Sequence, residues 1–347
     1  MLTLALSLIF LAVLLGPFLN KKIERNLEGF LFVMGLISAT ISEAWSADLV
    51  KEGLIAPIEI TLAVLGAGAL FHYLRRPIDS GMKSLLRSVP LPAVICCVII
   101  VLGLLSSVIS AIIASLVLVE FITVLRLHRR AEVHLTIIAC FAIGIGAALT
   151  PLGEPLSTIA VSKLSGEPYH ATFFYLAELL GVYIVAAVIA LGLLGIFLVR
   201  RLPGDKGATL SAEDGKEKVR EVILRAVRVY VFVMALIFLG AGFRPLIDTY
   251  LVNVSSIALF WANMVSAVLD NATLTAAEIG PALSEAQIKS ALLGLLISGG
   301  MLIPGNIPNI IAAHRLKIKS TEWARLGAPL GLALMALTAI LLMLRVV

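Results

Sequence analysis

Charge is scarce in this chain: 14% of its 347 residues are Asp, Glu, Lys or Arg, against 60% that are hydrophobic. Mean hydropathy is +1.05. A soluble domain of this length could not hide so much apolar surface, so the composition reads as a polytopic membrane protein. Cysteine is scarce too. Cys96, Cys97 and Cys140 all fall in apolar segments, without a disulfide framework or a metal spacing, and read as packing residues. Nucleotide-binding loops, nucleic-acid motifs and nucleophile–base pairs are missing. Neither an enzyme nor a nucleotide or nucleic-acid partner is expected. Any work would be coupled to an ion gradient, and the expected partner is the lipid bilayer. Met1–Leu19 lacks a basic start and a small-residue cleavage site, and reads as a first membrane helix rather than a signal peptide.

The chain is organised around Leu149-Thr150-Pro151-Leu152-Gly153-Glu154-Pro155, inside an apolar run from about Leu135 to Leu164. Proline removes a backbone donor and disfavours helix in the residue before it. At membrane depth, freed backbone must be buried in protein or line a wet cavity. The stretch therefore predicts a broken helix with Glu154 at the break. Leu302-Ile303-Pro304-Gly305-Asn306-Ile307-Pro308 repeats the pattern, with Gly146 and Gly299 equivalent upstream. Paired, proline-interrupted hydrophobic segments in two halves of a chain point to a transporter's substrate site.

The expected architecture is an all-α polytopic membrane protein of two inverted-topology repeats, each with a re-entrant hairpin and a discontinuous transmembrane helix. Residues 1–50 are extra N-terminal scaffold helices, with spans at Leu2–Leu19 and Leu27–Trp45. Repeat 1 covers 51–201: a span at Leu54–Leu74, an interfacial stretch at Pro77–Val89, a hairpin at 90–127, a broken helix at 132–165 and a span at 171–199. Residues 202–221 form a cytoplasmic linker. Repeat 2 covers 222–347: a span at about Val222–Gly242, a hairpin at 255–283, a broken helix at 288–316 and a span at 323–345. Residues 90–127 also fit two tight spans; a hairpin turning near Ser110 is preferred because Ser106, Ser107 and Ser110 cluster at its middle. Three crossings per repeat is an odd number, which inverts the second repeat. Arg75, Arg76, Lys83, Arg87, Arg129, Arg130, Arg200, Arg201, Arg315 and Lys317 gather in loops assigned to the cytoplasm. Only Lys51, Lys163, Arg244 and Lys289 fall outside, which puts both termini outside an inner (plasma) membrane.

Ionisable residues inside a membrane are functional candidates by default. Those deep in this layout are Glu59, Glu120, Glu154, Glu178, Asp270 and Glu278, with no lysine or arginine expected mid-membrane beside them. Acids without fixed basic partners suit a cation or a proton. Asp270 and Asn271 fall at the second hairpin tip, and Asn271, Thr275 and Glu278 share one helical face. Oxygen ligands of this kind suit a hard cation such as Na⁺. Thr150, Asn306 and Asn309 add oxygens at the breaks, and Ser110 sits at the first tip. A carboxylate site can exchange its cation for protons, the minimal mechanism of an antiporter. The expected metal ligands for transported Na⁺ are Asp270, Asn271 and Glu154, and no other cofactor is implied. Blander readings stand beside these. Glu154 also fits a helix cap, Asp270 a structural tip, Glu59 and Glu178 scaffold or interface. Glu120 fits the cytoplasmic mouth near Arg126, and the five histidines fit interfacial positions.

At these residues the chain resembles the ion transporter superfamily, which includes NhaD-type sodium/proton antiporters, divalent-anion/sodium symporters and arsenite permeases. Ser266-Ala267-Val268-Leu269-Asp270-Asn271-Ala272-Thr273 is similar to the hairpin-tip motif of the antiporter branch. The whole chain also resembles a family of small prokaryotic cation-transporter-like membrane proteins. The resemblance implies a homodimer whose protomers each hold a scaffold and a mobile transport domain. It implies an ion site between two hairpin tips and two breaks, carried by Asp270, Asn271, Thr150, Glu154, Asn306 and Asn309. This chain departs from the pattern at Ser110-Ala111, where the family often has a second acidic or asparagine tip; Glu154 would supply the missing charge. The serine-asparagine-threonine tip of the carboxylate-binding branch is absent from both hairpins, which lowers a dicarboxylate reading. Sodium-coupled transport of a small anion or organic acid, and an ion channel, remain the other readings.

Overall fold

The computed structural model describes residues 2–20, 22–23, 26–55, 57–58, 61–62, 89–125, 127–201, 219–250 and 254–344. Most of the expected span Leu54–Leu74 with Glu59, the interfacial stretch Pro77–Val89 apart from its last residue, and the linker from 202 to 218 lie outside them. The described residues are helical, without strands. The helices are α1 (Leu2–Leu19), α2 (Leu27–Ile41), α3 (Leu91–Ile109), α4 (Ala111–Leu125), α5 (Arg129–Ala147), α6 (Pro155–Leu164), α7 (Tyr175–Arg201), α8 (Val219–Tyr250), α9 (Ser256–Ala262), α10 (Asn271–Glu278), α11 (Glu285–Gly299), α12 (Ile307–Leu316) and α13 (Ser320–Met343). A further helical stretch runs over 47–55.

Among the described residues, four helical segments are long and apolar enough to cross a membrane: Leu91–Ile109, Arg129–Ala147, Tyr175–Phe197 and Ser320–Met343. Exposed leucine, isoleucine and valine side chains run along α1, α7 and α13, such as Leu4, Val182, Leu193 and Ile340. Water would not tolerate so continuous an apolar surface, and lipid would. At 19 residues, α3 alone is long enough to cross, at roughly 28 Å from the helical rise.

The centre of the molecule is built from α5 and α11. Every residue from Leu135 to Ala147 and from Ser290 to Gly299 is buried. A helix that is apolar all round has no solvent face to offer and must sit inside. Both helices start on side-chain caps. The His128 ring accepts from the Arg130 amide at 3.4 Å. Ser284 and Gln287 form a reciprocal capping box.

Each central helix then breaks. α5 ends at Ala147, and residues 148–154 lead into α6. α11 ends at Gly299, and residues 300–306, including a short 3₁₀ turn at Ile303–Gly305, lead into α12. Glu154 and Asn306 precede α6 and α12 in nearly identical extended conformations, with φ/ψ of −157°/161° and −155°/162°. Both following helices have ten residues and carry proline in their first turn, where its missing N–H has no helical partner anyway. The sequence pattern pairs Glu154 with Ile307, whereas the matching helix-entry residues are Glu154 and Asn306. Pro155 is the first helical residue of α6, while Pro308 is the second of α12.

The two broken helices cross. Phe141 packs on Gly300, the Asn306 amide lies against Gly144, and the Cys140 thiol donates to the Pro308 carbonyl at 3.6 Å. The helix pair α3–α4 packs on α5. Gly146 lets the carbonyl of Gly103 come so close that a Cβ would collide with it, and Ser106 Oγ donates to the Ile143 carbonyl at 3.0 Å. The segment from α9 through the 3₁₀ turn Asn263–Ala267 packs on α11 in a similar way. There, Ser266 Oγ donates to the Leu295 carbonyl at 3.3 Å and Ser298 Oγ to the Asn263 carbonyl at 2.7 Å. α2 lies along α8, with Gly35 against the Ala235 carbonyl.

Candidate functional site

A cavity of ≈ 630 Å³ lies where four chain interruptions meet a long helix. Its lining includes Ser110 and Ala111 at the α3–α4 junction, Gly153, Glu154 and Pro155 at the first break, and Asp270 and Ala272 at the start of α10. Ile307 comes from the second break. The opposite wall is α8, from Val233 to Arg244, with Leu49 and Glu52 from the stretch 47–55.

Local chemistry explains how the chain reaches this point. Ser110 is the single non-helical residue between α3 and α4, at φ 79° and ψ 151°. That region is nearly restricted to glycine and is strained for any other residue. The strain is held by neighbours on both sides. The Ala111 amide donates to the Gly153 carbonyl at 2.7 Å, tying the α3–α4 junction to the first break. Thr150 Oγ1 donates to the Ser107 carbonyl at 2.5 Å and accepts from the Leu152 amide at 3.3 Å. Gly153 itself lies so close to the Ala147 carbonyl that no Cβ would fit.

Glu154 is 6% exposed. It stands at the entry of α6, yet its side chain caps no amide of that helix. One carboxylate oxygen accepts from Asn271 Nδ2 at 3.5 Å; the other is buried without a partner among the described residues. A buried carboxylate oxygen without a donor is costly unless a proton, cation or water meets it. Asp270 lines the same cavity and lies near enough to Glu154 for the two charges to interact. Glu154, Asp270, Asn271 and Ser110 are therefore brought together from positions up to 161 apart in the chain.

The remaining expected ligands are not in the cavity wall. Thr275 Oγ1 donates to the Asn271 carbonyl at 2.8 Å, one turn back in its own helix. Asn306 Oδ1 accepts from the Asn309 amide at 3.1 Å, a helix cap. Asn309 Nδ2 holds the carbonyls of Gly299 and Leu302 at 2.9 and 2.8 Å, satisfying backbone freed by the second break. Its Oδ1 is buried without a partner among the described residues. Glu278 has both carboxylate oxygens buried at the far end of α10, away from the cavity lining.

Two expectations about charge change. Glu120 is bonded to Arg315 of α12 at 2.9 Å, in a nearly buried pair across 195 residues; Arg126 itself lies outside the described residues. Arg244 lines the cavity that holds Glu154 and Asp270, so a base does stand beside these acids. The sequence reading missed Glu52, Thr158 and Arg244 as cavity residues. Arg244 carried a signal: it precedes Pro245 near the end of a long apolar helix, where a charge is expensive. Glu178 is exposed near the start of α7.

Among the described residues, no group of three or more His, Cys, Asp or Glu side chains is arranged to hold a metal ion. Comparison with curated proteins finds no match. Residues 3–346 match the family model described as "Protein of unknown function (DUF1646)", and the chain belongs to that family.

Proposed function

We propose that the protein is a secondary active transporter that exchanges a monovalent cation for protons by alternating access. The observation that carries this reading is the pair Glu154 and Asp270. They come from a helix break in one half of the chain and a helix start in the other, and they line one cavity. Glu154 keeps one buried oxygen without a donor among the described residues. A cation satisfies that oxygen when bound, and a proton does so when the cation leaves. Two acids close enough for their charges to interact couple the two events, since the state of one changes the cost of ionising the other.

The two breaks serve as hinges in this reading, because backbone already out of the helical ladder can change direction at small cost. Three observations support two repeats of inverted topology with re-entrant hairpins. The entries of α6 and α12 have matched backbone angles. Ser106 and Ser266, one in each proposed hairpin segment, both donate to carbonyls of the adjacent central helix. The α3–α4 and α9–α10 segments both present their interruptions to the cavity. Membership of the ion transporter superfamily, a homodimeric assembly and a plasma-membrane location with both termini outside belong to the same proposal. Na⁺ is the ion expected from the sequence.

Arg244 favours a second reading, sodium-coupled uptake of a small anion, since it sets a base in the cavity wall. Uptake that needs both Na⁺ and a carboxylate substrate distinguishes it. The test is reconstitution of the full chain in liposomes with an internal pH dye, adding Na⁺, Li⁺, K⁺ and Ca²⁺ separately. Exchange gives a saturable pH change with one cation, lost in Asp270→Asn while folded protein is retained. No response to any of the four removes metal-cation exchange.

A further inference from the structure

The cavity is poorly equipped for a bare metal ion and well shaped for something larger. A hard cation wants roughly six or more oxygens crowded around it. Few side-chain oxygens line the wall: the carboxylates of Glu52, Glu154 and Asp270 and the hydroxyls of Ser110 and Thr158. The Thr150, Thr275 and Asn306 side chains do not line it. Thr158 Oγ1 donates to the Pro151 carbonyl at 2.6 Å. Ser110 Oγ accepts from the Ile113 amide at 3.4 Å. The Asn309 side chain, with its spare oxygen, does not line the cavity.

Size and wall chemistry point the same way. At ≈ 630 Å³ the space falls within the range of about 300–1,000 Å³ typical of small-molecule sites. Nine of its 22 lining residues are leucine, isoleucine or valine, among them Ile112, Ile159, Leu236, Ile237 and Ile310. The charged lining residues are Glu52, Glu154 and Asp270 against Arg244, three acids to one base. An apolar wall with a net acidic charge is complementary to a cation that carries its own apolar body. Such a cation needs charge neutralisation and apolar contact, not a closed shell of oxygens.

We propose that the cargo of this cavity is an organic monocation with an apolar body, of the quaternary-ammonium or N-alkylpyridinium class, rather than a bare metal ion. The inference rests on the cation/proton exchange read above. Glu154 and Asp270 supply the charge, and the isoleucines of α4, α6, α8 and α12 supply the wall. One monocation enters as one proton leaves the Glu154–Asp270 pair, so charge is balanced without a metal.

The test uses permanently charged probes, which cannot alter the internal pH as weak bases do. Liposomes holding the full chain, with an acidic interior, are given labelled tetraethylammonium or 1-methyl-4-phenylpyridinium, with Na⁺ tested in parallel. The expected result is saturable uptake of the organic cation coupled to internal alkalinisation, with little or no Na⁺ exchange. Asp270→Asn abolishes it. Ile237→Trp, which fills the cavity, lowers it at least tenfold, and Ile112→Phe is the gentler variant if Ile237→Trp does not fold. Na⁺ exchange without uptake of either organic cation overturns the inference and leaves the antiporter reading standing. Organic-cation uptake without proton movement supports the cargo class and overturns the antiporter reading. No flux of any cation overturns both.

Discussion

Glu154 and Asn306 hold the same backbone position and do different jobs. Asn306 caps α12 through the Asn309 amide, so Asn306→Ala should destabilise the protein by about 1 kcal/mol. Glu154 caps nothing with its side chain. Glu154→Gln should therefore leave the melting temperature in detergent close to wild type while abolishing exchange. A large loss of stability with retained exchange would restore the cap reading. Ser110 stands in a backbone region suited to glycine. Ser110→Gly should raise stability by ~1 kcal/mol by relieving that strain, read as a higher melting temperature. An unchanged or lower melting temperature would mean that the Ser110 hydroxyl matters more than the backbone. That Glu154 and Ser110 lie at interruptions between helices was legible from proline and serine positions. Their individual roles were not. Proline spacing says that a helix is interrupted, not which residue leaves the ladder, so the match between Glu154 and Ile307 was off by one.

Helices meet closely where glycine allows it. Gly146 faces the Gly103 carbonyl, and nothing larger than glycine's hydrogen fits between them. Gly146→Ala should push α3 off α5 and lower stability by about 1–3 kcal/mol, as over-packing does. Gly166→Ala, in open space, is the control expected to change little. Equal melting temperatures for the two variants would remove the close crossing from the account. Helix existence was legible because runs of 15 or more apolar residues leave few alternatives. Central burial was legible only in part. α5 and α11 are apolar all round, but so are stretches of α3 and α7, which face outward on one side. Beyond Ser110, Glu154 and Asp270, the wall of the cavity was not legible. Val233 and Ile237 reach it through the packing of α8 on neighbours distant in sequence, and nothing local marks them. The true engagement of Thr275 was available in principle, since a helical threonine readily bonds the carbonyl one turn back.

Across the whole molecule, α12 is tied to three neighbouring helices by charged side chains. Arg315 is bonded to Glu120 of α4, and Arg129 of α5 donates to the Leu316 and Lys317 carbonyls at 2.8 Å each while pairing with Glu322 of α13. Breaking the nearly buried Arg315–Glu120 pair by Glu120→Gln should lower stability by roughly 3–5 kcal/mol. The exposed Arg129–Glu322 contact is worth at most about 1 kcal/mol as an ion pair. Its greater value is the capping of α12, so Glu322→Gln should matter less than Arg129→Ala. These ties hold α12 to α4, α5 and α13. In the proposed exchange protons and cation compete for Glu154 and Asp270, so the apparent KM for the cation should rise as pH falls. For one proton displaced per cation, log KM should change by about one unit per pH unit below the titration of the pair. The most direct measurement is proton release on cation binding by the purified protein in weakly buffered detergent solution. Wild type should release protons saturably as a transported cation is added, and Glu154→Gln with Asp270→Asn should release none. Undiminished release from that double variant, or saturable cation binding by wild type without any release, would contradict the claim that these two carboxylates exchange cation for proton.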